Sequence, residues 1–150
     1  MKIVCNKNIL NEAIQTVSRA VAAKSNLASI EGILFIAENN TLTLTGYDFE
    51  MGIKTTFECE VLKDGDVVLS SQLLGNIVRK ANSETISIEC DDKMNCIIKS
   101  GITEFNIKGI DSTDYPDFPS PSQDTSVSIE NELFGEMVDY VIYAVSQDEK

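Results

Sequence analysis

The spacing of apolar positions changes period several times along this chain. From Lys2 to Val21, KIVCNKNILNEAIQTVSRAV, a short apolar run gives way to a stripe formed by Leu10, Ala13, Ile14, Val17 and Val21. That pattern predicts a strand and then an amphipathic helix, with Asn8, Glu12, Gln15 and Arg19 on the polar face. Asn6 stands at the junction, where its side-chain oxygen can cap the first free N–H groups. Three strand-like runs follow, Gly32–Glu38, Thr41–Tyr47 and Glu50–Val61, with Glu38-Asn39-Asn40 as the turn between the first two. The order then repeats. Asp66–Ala81, DVVLSSQLLGNIVRKA, predicts a strand, a cap at Ser70 and a helix with Leu73, Leu74, Ile77, Val78 and Ala81 on its apolar stripe. Thr85–Cys90, Asn95–Lys99 and Thr103–Ile107 are its three strands, joined by turns at Asp91–Met94 and Ser100–Gly101.

The two segments also align residue by residue. At a shift of 64, Ile3 meets Val67, Val4 meets Val68, Leu10 meets Leu74 and Ile14 meets Val78. A strand-helix-three-strand unit therefore occurs twice, as pseudo-repeats 1–64 and 65–112. Asp111–Gln123, DSTDYPDFPSPSQ, holds all three prolines of the chain and reads as a linker. Beyond it the pattern starts a third time. At a shift of 124, Ile3 meets Val127, Leu10 meets Phe134, Ile14 meets Val138 and Val17 meets Val141. A short alternating run and a helical stripe are present, and no strands follow. The expected organisation is one domain over 1–122 and the truncated start of a second over 123–150. Leu133, Phe134, Met137, Val138, Val141, Ile142 and Val145 then have no evident cover.

Composition narrows the functional classes. The 150 residues are 43% apolar, ordinary for a globular domain. The start, MKIVCNKNIL, has no secretory-signal pattern, and no apolar run nears the roughly 20 residues that span a bilayer, so a cytoplasmic protein is expected. Cys5, Cys59, Cys90 and Cys96 form no CxxC pair, and the chain has no histidine. The cysteines read as small, reduced core residues. No zinc site, other metal site or activated thiol is expected, and no cofactor. Asp48 with Glu50, or Asp91 with Asp92, could form a carboxylate pair or a hard-cation site, but solvated carboxylates in extended and turn segments explain both. No phosphate-binding glycine loop is present.

The net charge of −12 argues against a nucleic-acid partner until its distribution is considered. Residues 7–24 carry Lys7, Arg19 and Lys24 against Glu12, a balance of +2. Residues 70–83 carry Arg79 and Lys80 and no acid, again +2, which leaves −16 for the remainder. Two pseudo-equivalent helices are thus basic in an acidic chain. Either they are solvated helix faces, or side by side they form one face that attracts phosphate. The third helix differs, with Glu132, Glu136 and Asp139 unopposed.

Three stretches now carry a resemblance: the opening strand and helix just quoted, TLTLTGYDFEMGIK at Thr41–Lys54, and DYPDFPSP at Asp114–Pro121. With the repeats, the chain resembles the bacterial DNA sliding clamps, the beta subunits of DNA polymerase III, over essentially its whole length. The resemblance implies an α+β DNA-clamp fold in which the duplicated unit puts helices on one face and antiparallel sheets on the other. It implies a processivity factor of DNA replication and no enzyme: a head-to-tail homodimeric ring around duplex DNA that tethers the replicative polymerase. Lys24, Arg79 and Gln147 match DNA-contacting positions of the family; Arg19 and Lys80 join them on charge alone. All would touch phosphates without reading bases. Phe105 and Ile107 match the edge strand of the dimer interface, with plain core packing as their alternative. Polymerase and clamp loader would bind through domains outside this chain. Asn26–Gly32, NLASIEG, departs from the family in lacking a proline after this loop.

A stand-alone acidic module, a mimic of DNA that fills a basic site on another protein, is the alternative reading. It suits the net charge and conflicts with the basic helices. The clamp reading expects the native protein in its source cell to have a mass of roughly 40 kDa, the sum of three such domains. Intact-mass measurement after antibody capture checks this, and a value near 16.5 kDa would favour the module.

Overall fold

The computed structural model describes residues 1–119 and 127–146. It divides into two compact units, Met1–Phe118 and Pro119–Lys150. The first holds nine strands: β1 (Lys2–Asn6), β2 (Gly32–Glu38), β3 (Thr41–Tyr47), β4 (Gly52–Glu58), β5 (Glu60–Lys63), β6 (Gly65–Ser70), β7 (Thr85–Cys90), β8 (Asn95–Ser100) and β9 (Thr103–Lys108). Helix α1 (Lys7–Val17) follows β1, and α2 (Ser71–Lys80) follows β6. Both caps form as expected. Asn6 Oδ1 accepts from the Asn8 and Ile9 N–H groups at 2.8 and 3.3 Å. Ser70 Oγ accepts from Leu73 N–H at 3.4 Å. No helix among the described residues is long and apolar enough to cross a membrane.

The sheets do not follow the repeats. One has the order β5-β1-β7-β8-β9, the other β4-β3-β2-β6, and the pairings are antiparallel. The first strand of each unit therefore completes the other unit's sheet: β1 pairs with β7, and β6 with β2. Ile3, Val67, Leu10, Leu74, Ile14 and Val78, all matched in the self-alignment, are buried in one core. Around them lie Ile33, Phe35, Leu42, Leu44, Leu69, Ile86, Ile88 and Ile98, each fully buried. Helix α1 lies against β3 and β4, and α2 against β2 and β6. At Gly46 the strand β3 runs so close to α1 that an added Cβ would stand 2.2 Å from the Val17 carbonyl oxygen, so only glycine fits there.

Several expectations need correction. Glu50–Val61 is not one strand. The ladder breaks at Cys59, whose N–H donates to the Asn40 carbonyl at 3.0 Å, and the chain crosses there from one sheet to the other. Leu73 leaves the apolar stripe and is 53% exposed. It stands about 100° around the helix from Leu74, outside the arc through Leu74, Ile77, Val78 and Ala81. The cysteines are not all reduced: Cys90 and Cys96 form a disulfide, while Cys5 and Cys59 are free. The β7–β8 register sets Cys90 directly opposite Cys96, and facing side chains of an antiparallel pair stand within bonding reach.

Two turns use left-handed backbone. Asn39 and Asn40, at φ 50° and 57°, make the two-residue β2–β3 connection, a conformation asparagine tolerates. Phe49, between β3 and β4, has φ 75°, which costs a bulky residue on the order of 1–3 kcal/mol. The neighbouring Asp48 holds this turn, its carboxylate accepting from Glu50 and Met51 N–H at 3.0 and 2.7 Å.

After β9 the chain is pinned back onto the first unit. Val68 and Ile110 exchange backbone hydrogen bonds of 3.0 and 2.9 Å. Ser29 Oγ donates to the Asp114 carbonyl at 2.7 Å. The buried Tyr115 hydroxyl donates to the Thr45 carbonyl at 3.2 Å. In the second unit, α3 (Asn131–Val141) forms over the expected helical stripe. No strand precedes it among the described residues, unlike α1 and α2, and Glu130 supplies no side-chain cap. The seven apolar residues named above for this helix and its exit are exposed, from 38% at Val138 to 60% at Val141 and Val145.

Burial is the main cause that pushes the Tyr115 hydroxyl up to about 12; a hydrogen bond with the Tyr47 backbone works against it, and the Asp48 charge adds to it. A raised folded pKa means that the unfolded chain gives up this proton first. The contribution is complete below about pH 10, the ordinary tyrosine value, and is lost as pH rises from there through about 12. Urea unfolding across this window should show a decline that Tyr115→Phe lessens, part of the remainder belonging to the Cys5 thiol, which burial also pushes up to about 12. Parallel pH curves for the two proteins would contradict this account.

Candidate nucleic-acid interface

Helices α1 and α2 lie side by side and antiparallel, tied at both ends. Lys7 Nζ donates to the Ala81 carbonyl at 2.6 Å, joining the start of α1 to the end of α2. Ser18 Oγ and Ser71 Oγ share a hydrogen bond of 2.7 Å at the opposite end. Lys7 and Ser71 each open a helix and are equivalent under the shift of 64, so the two ties are near-symmetric. Lys7 thus serves the pairing of the helices instead of presenting a free cation.

Between the helices runs a shallow groove of about 460 Å³. Asn11 and Gln15 line it from α1, Arg19 from the 3-10 turn Ser18–Ala20 that follows α1, and Gln72, Asn76 and Arg79 from α2. Because the helices are antiparallel and both arginines lie near helix C-termini, Arg19 and Arg79 stand toward opposite ends. Arg79 Nη2 donates to Asn76 Oδ1 at 2.6 Å, which orients the guanidinium. Lys24, in the loop after α1, and Lys80 are exposed. Among the described residues, the ion pairs are Lys2–Glu89, Lys63–Asp92 and Lys99–Glu104. They belong to strands and turns, and none uses Arg19, Lys24, Arg79 or Lys80. Cations in a last helical turn also complement the helix dipole.

The structure brings Arg19 and Arg79 to one groove and leaves Lys24 and Lys80 exposed on the neighbouring loop and helix end. Gln147 lies outside the described residues. Phe105 and Ile107 project from β9, one of the two edge strands of the five-stranded sheet. Both are half-buried and pack against the core, so core packing accounts for part of each side chain. The sequence reading did not single out Asn11 or Gln72; their polar positions beside the stripe were the available signal. The carboxylates weighed as a catalytic pair serve turns. Asp91 is held below the usual carboxylate range chiefly by the Asn95 side chain and then by backbone N–H groups. Backbone N–H groups of Met51 and Glu50 do the same for Asp48.

Two like units, interlocked through exchanged strands with paired helices and antiparallel sheets, define an α+β clamp-type fold. Residues 1–119 match the family described as DNA polymerase III beta subunit, N-terminal domain, and the chain belongs to that family. The beta sliding clamp of Bacillus subtilis is 28% identical over 99% of this chain and 42% of its own length. That of Synechococcus elongatus is 30% identical over 99% and 40%. The crystal structure of the Bacillus subtilis DNA polymerase sliding clamp superposes with a TM-score of 0.93 at 27% identity, covering 100% of this chain and 42% of that one. The sliding clamp of Caulobacter crescentus, at 22% identity and a TM-score of 0.91 over 100% of this chain and 41% of that one, shares the fold. The chain spans about 40% of the length of these relatives.

The Ser18–Ser71 bond should show as coupling. Ser18→Ala and Ser71→Ala, singly and together, should give an interaction energy of about 0.5–1.5 kcal/mol in urea unfolding. Additive losses would mean that the two hydroxyls do not register the helices.

Proposed function

We propose that this chain belongs to a processivity factor of DNA replication, part of a ring whose paired helices face duplex DNA. In this reading residues 1–122 form one ring domain and 123–150 begin the next. The carrying observation is that Arg19 and Arg79 share one groove between paired helices, with no carboxylate partner among the described residues, in a chain of net charge −12. A mimic of DNA would present carboxylates on its working face; here that face is basic and the sheets are acidic. The helices supply phosphate contacts without entering a groove, which lets a ring slide. Lys24 and Lys80 extend the contact, and Gln147 adds a polar one from the second domain.

The ring closes head to tail with a second copy through the β9 edge, where Phe105 and Ile107 keep part of their apolar surface exposed. It carries out no chemistry; it holds a polymerase at high effective concentration on the template. Polymerase and clamp loader engage domains beyond these 150 residues. The protein works in the cytoplasm, where a bacterial chromosome lies.

Neutralising phosphates releases counterions, so each contact contributes about −0.9 to the slope of log K against log salt. This chain should bind a mixed-sequence duplex weakly, with Kd on the order of 10⁻⁴–10⁻⁶ M, and without sequence preference. Fluorescence anisotropy over a salt series should show Arg19→Ala with Arg79→Ala lowering the slope by about 2. An unchanged slope would remove the groove from the DNA interface.

A further inference from the structure

The β3–β4 turn carries a second surface, of opposite character to the helix groove. Tyr47 lies between two rings, its centroid 5.5 Å from that of Phe49 and 5.7 Å from that of Phe118, both tilted by about 60°. Phe49 is 58% exposed, Met51 46% and Phe118 36%. Phe118 is seated by the absence of a side chain at Gly52, where an added Cβ would stand 2.5 Å from its ring. Aromatic clusters normally bury such area in a core; this one faces outward, at the end of a hairpin.

Phe49 also occupies a backbone conformation that suits glycine, with φ 75°. An exposed phenylalanine there gains little from burial and loses by its conformation. A strained residue held in place by its surroundings, here by the Asp48 carboxylate that caps the turn, is a mark of a functional position. The rim supplies the sign of the partner. Asp48 and Glu50 flank Phe49, and Asp117 precedes Phe118. Neither Tyr47–Gly52 nor Asp111–Phe118 contains a lysine or arginine. Phosphate-bearing partners are repelled by this rim. A second copy's α3 is repelled too, because its polar face carries Glu132, Glu136 and Asp139 and the helix has no lysine or arginine to meet this rim.

We propose that the Tyr47–Phe49–Met51–Phe118 cluster is a docking surface for a cationic segment of a partner protein, one that places an apolar side chain against Phe49 and lysine or arginine beside Asp48, Glu50 and Asp117. The turn lies next to the C-terminal end of α1, where Gly46 meets Val17 and Val21. A partner bound there stands beside the loop of Lys24 without occupying the helix groove.

The test uses this chain and a short fluorescein-labelled peptide that alternates lysine with phenylalanine and leucine; a counterpart with glutamate in place of lysine is the control. The lysine peptide should bind, shift the NMR signals of Tyr47, Phe49, Met51 and Phe118, and leave those of Arg19 and Arg79 in place. Phe49→Gly keeps the charge, relieves the strained backbone and removes the apolar anchor. It should weaken binding by about tenfold or more while the thermal midpoint holds or rises. Glu50→Lys should weaken binding similarly without unfolding the chain. If Phe49→Gly binds the lysine peptide as tightly as the parent, the attraction is only that of an acidic protein, and the docking surface is refuted. Shifts at the four residues that appear on concentrating the chain alone, with no response to peptide, would assign the patch to self-association and refute it equally.

Discussion

The first unit depends on an exchange of strands between two like halves. Neither β1-α1 nor β6-α2 packs with its own three strands into a closed sheet. Each lends its first strand to the other half, so Ile3 faces Ile88 across the β1–β7 pair and Val68 faces Leu34 across the β6–β2 pair. Once these ladders form, the helices that follow β1 and β6 must cross the same core, and they meet antiparallel. The Lys7–Ala81 and Ser18–Ser71 bonds then fix that meeting at both ends. A half-repeat alone would leave backbone N–H and C=O groups of its sheet edge unpaired, which is unfavourable away from water. The halves are therefore expected to fold as one cooperative body.

The same exchange sorts the charges. Pairing the helices gathers Arg19 and Arg79 around one groove and directs Glu12 away from it. The carboxylates remain on strands and turns, where Lys2, Lys63 and Lys99 offset three of them. Exposed ion pairs of this kind contribute little to stability. Their consequence is in the field: a chain with a large net negative charge still presents a face on which a polyanion meets arginine first. The β3–β4 turn, acidic and aromatic, presents the reverse. One small unit thus presents two surfaces of opposite charge.

The second unit shows how far a local pattern reaches without its cover. Helix α3 repeats the stripe of α1, with Phe134, Val138 and Val141 at the places of Leu10, Ile14 and Val17. The α1 residues are buried and the α3 residues exposed. Periodicity forms the helix in both cases; burial needs a sheet beneath it, and no described residue supplies one for α3.

Much of this was legible before any coordinates, because it is written in local chemistry. Period and capping residues located α1 and α2, period alone located α3, and Asn39-Asn40 marked its turn. The self-alignment at a shift of 64 exposed the duplication, and the uneven charge singled out the two helices. What remained hidden depends on contacts between distant residues. No local pattern states that β1 joins β7 instead of β2, that the run through Cys59 crosses between sheets, or that Lys7 is spent on the Ala81 carbonyl. Cys90 and Cys96 become partners only through the β7–β8 register, and Leu73 becomes exposed only through the rotation α2 adopts over its sheet. The sequence by itself determined which segments are helix or strand, since 3.6- and 2-residue periods are properties of a few neighbouring side chains. The tertiary structure decided which strands pair, which cations stay free and which aromatic residues face water, since those outcomes depend on what else the same side chains can reach.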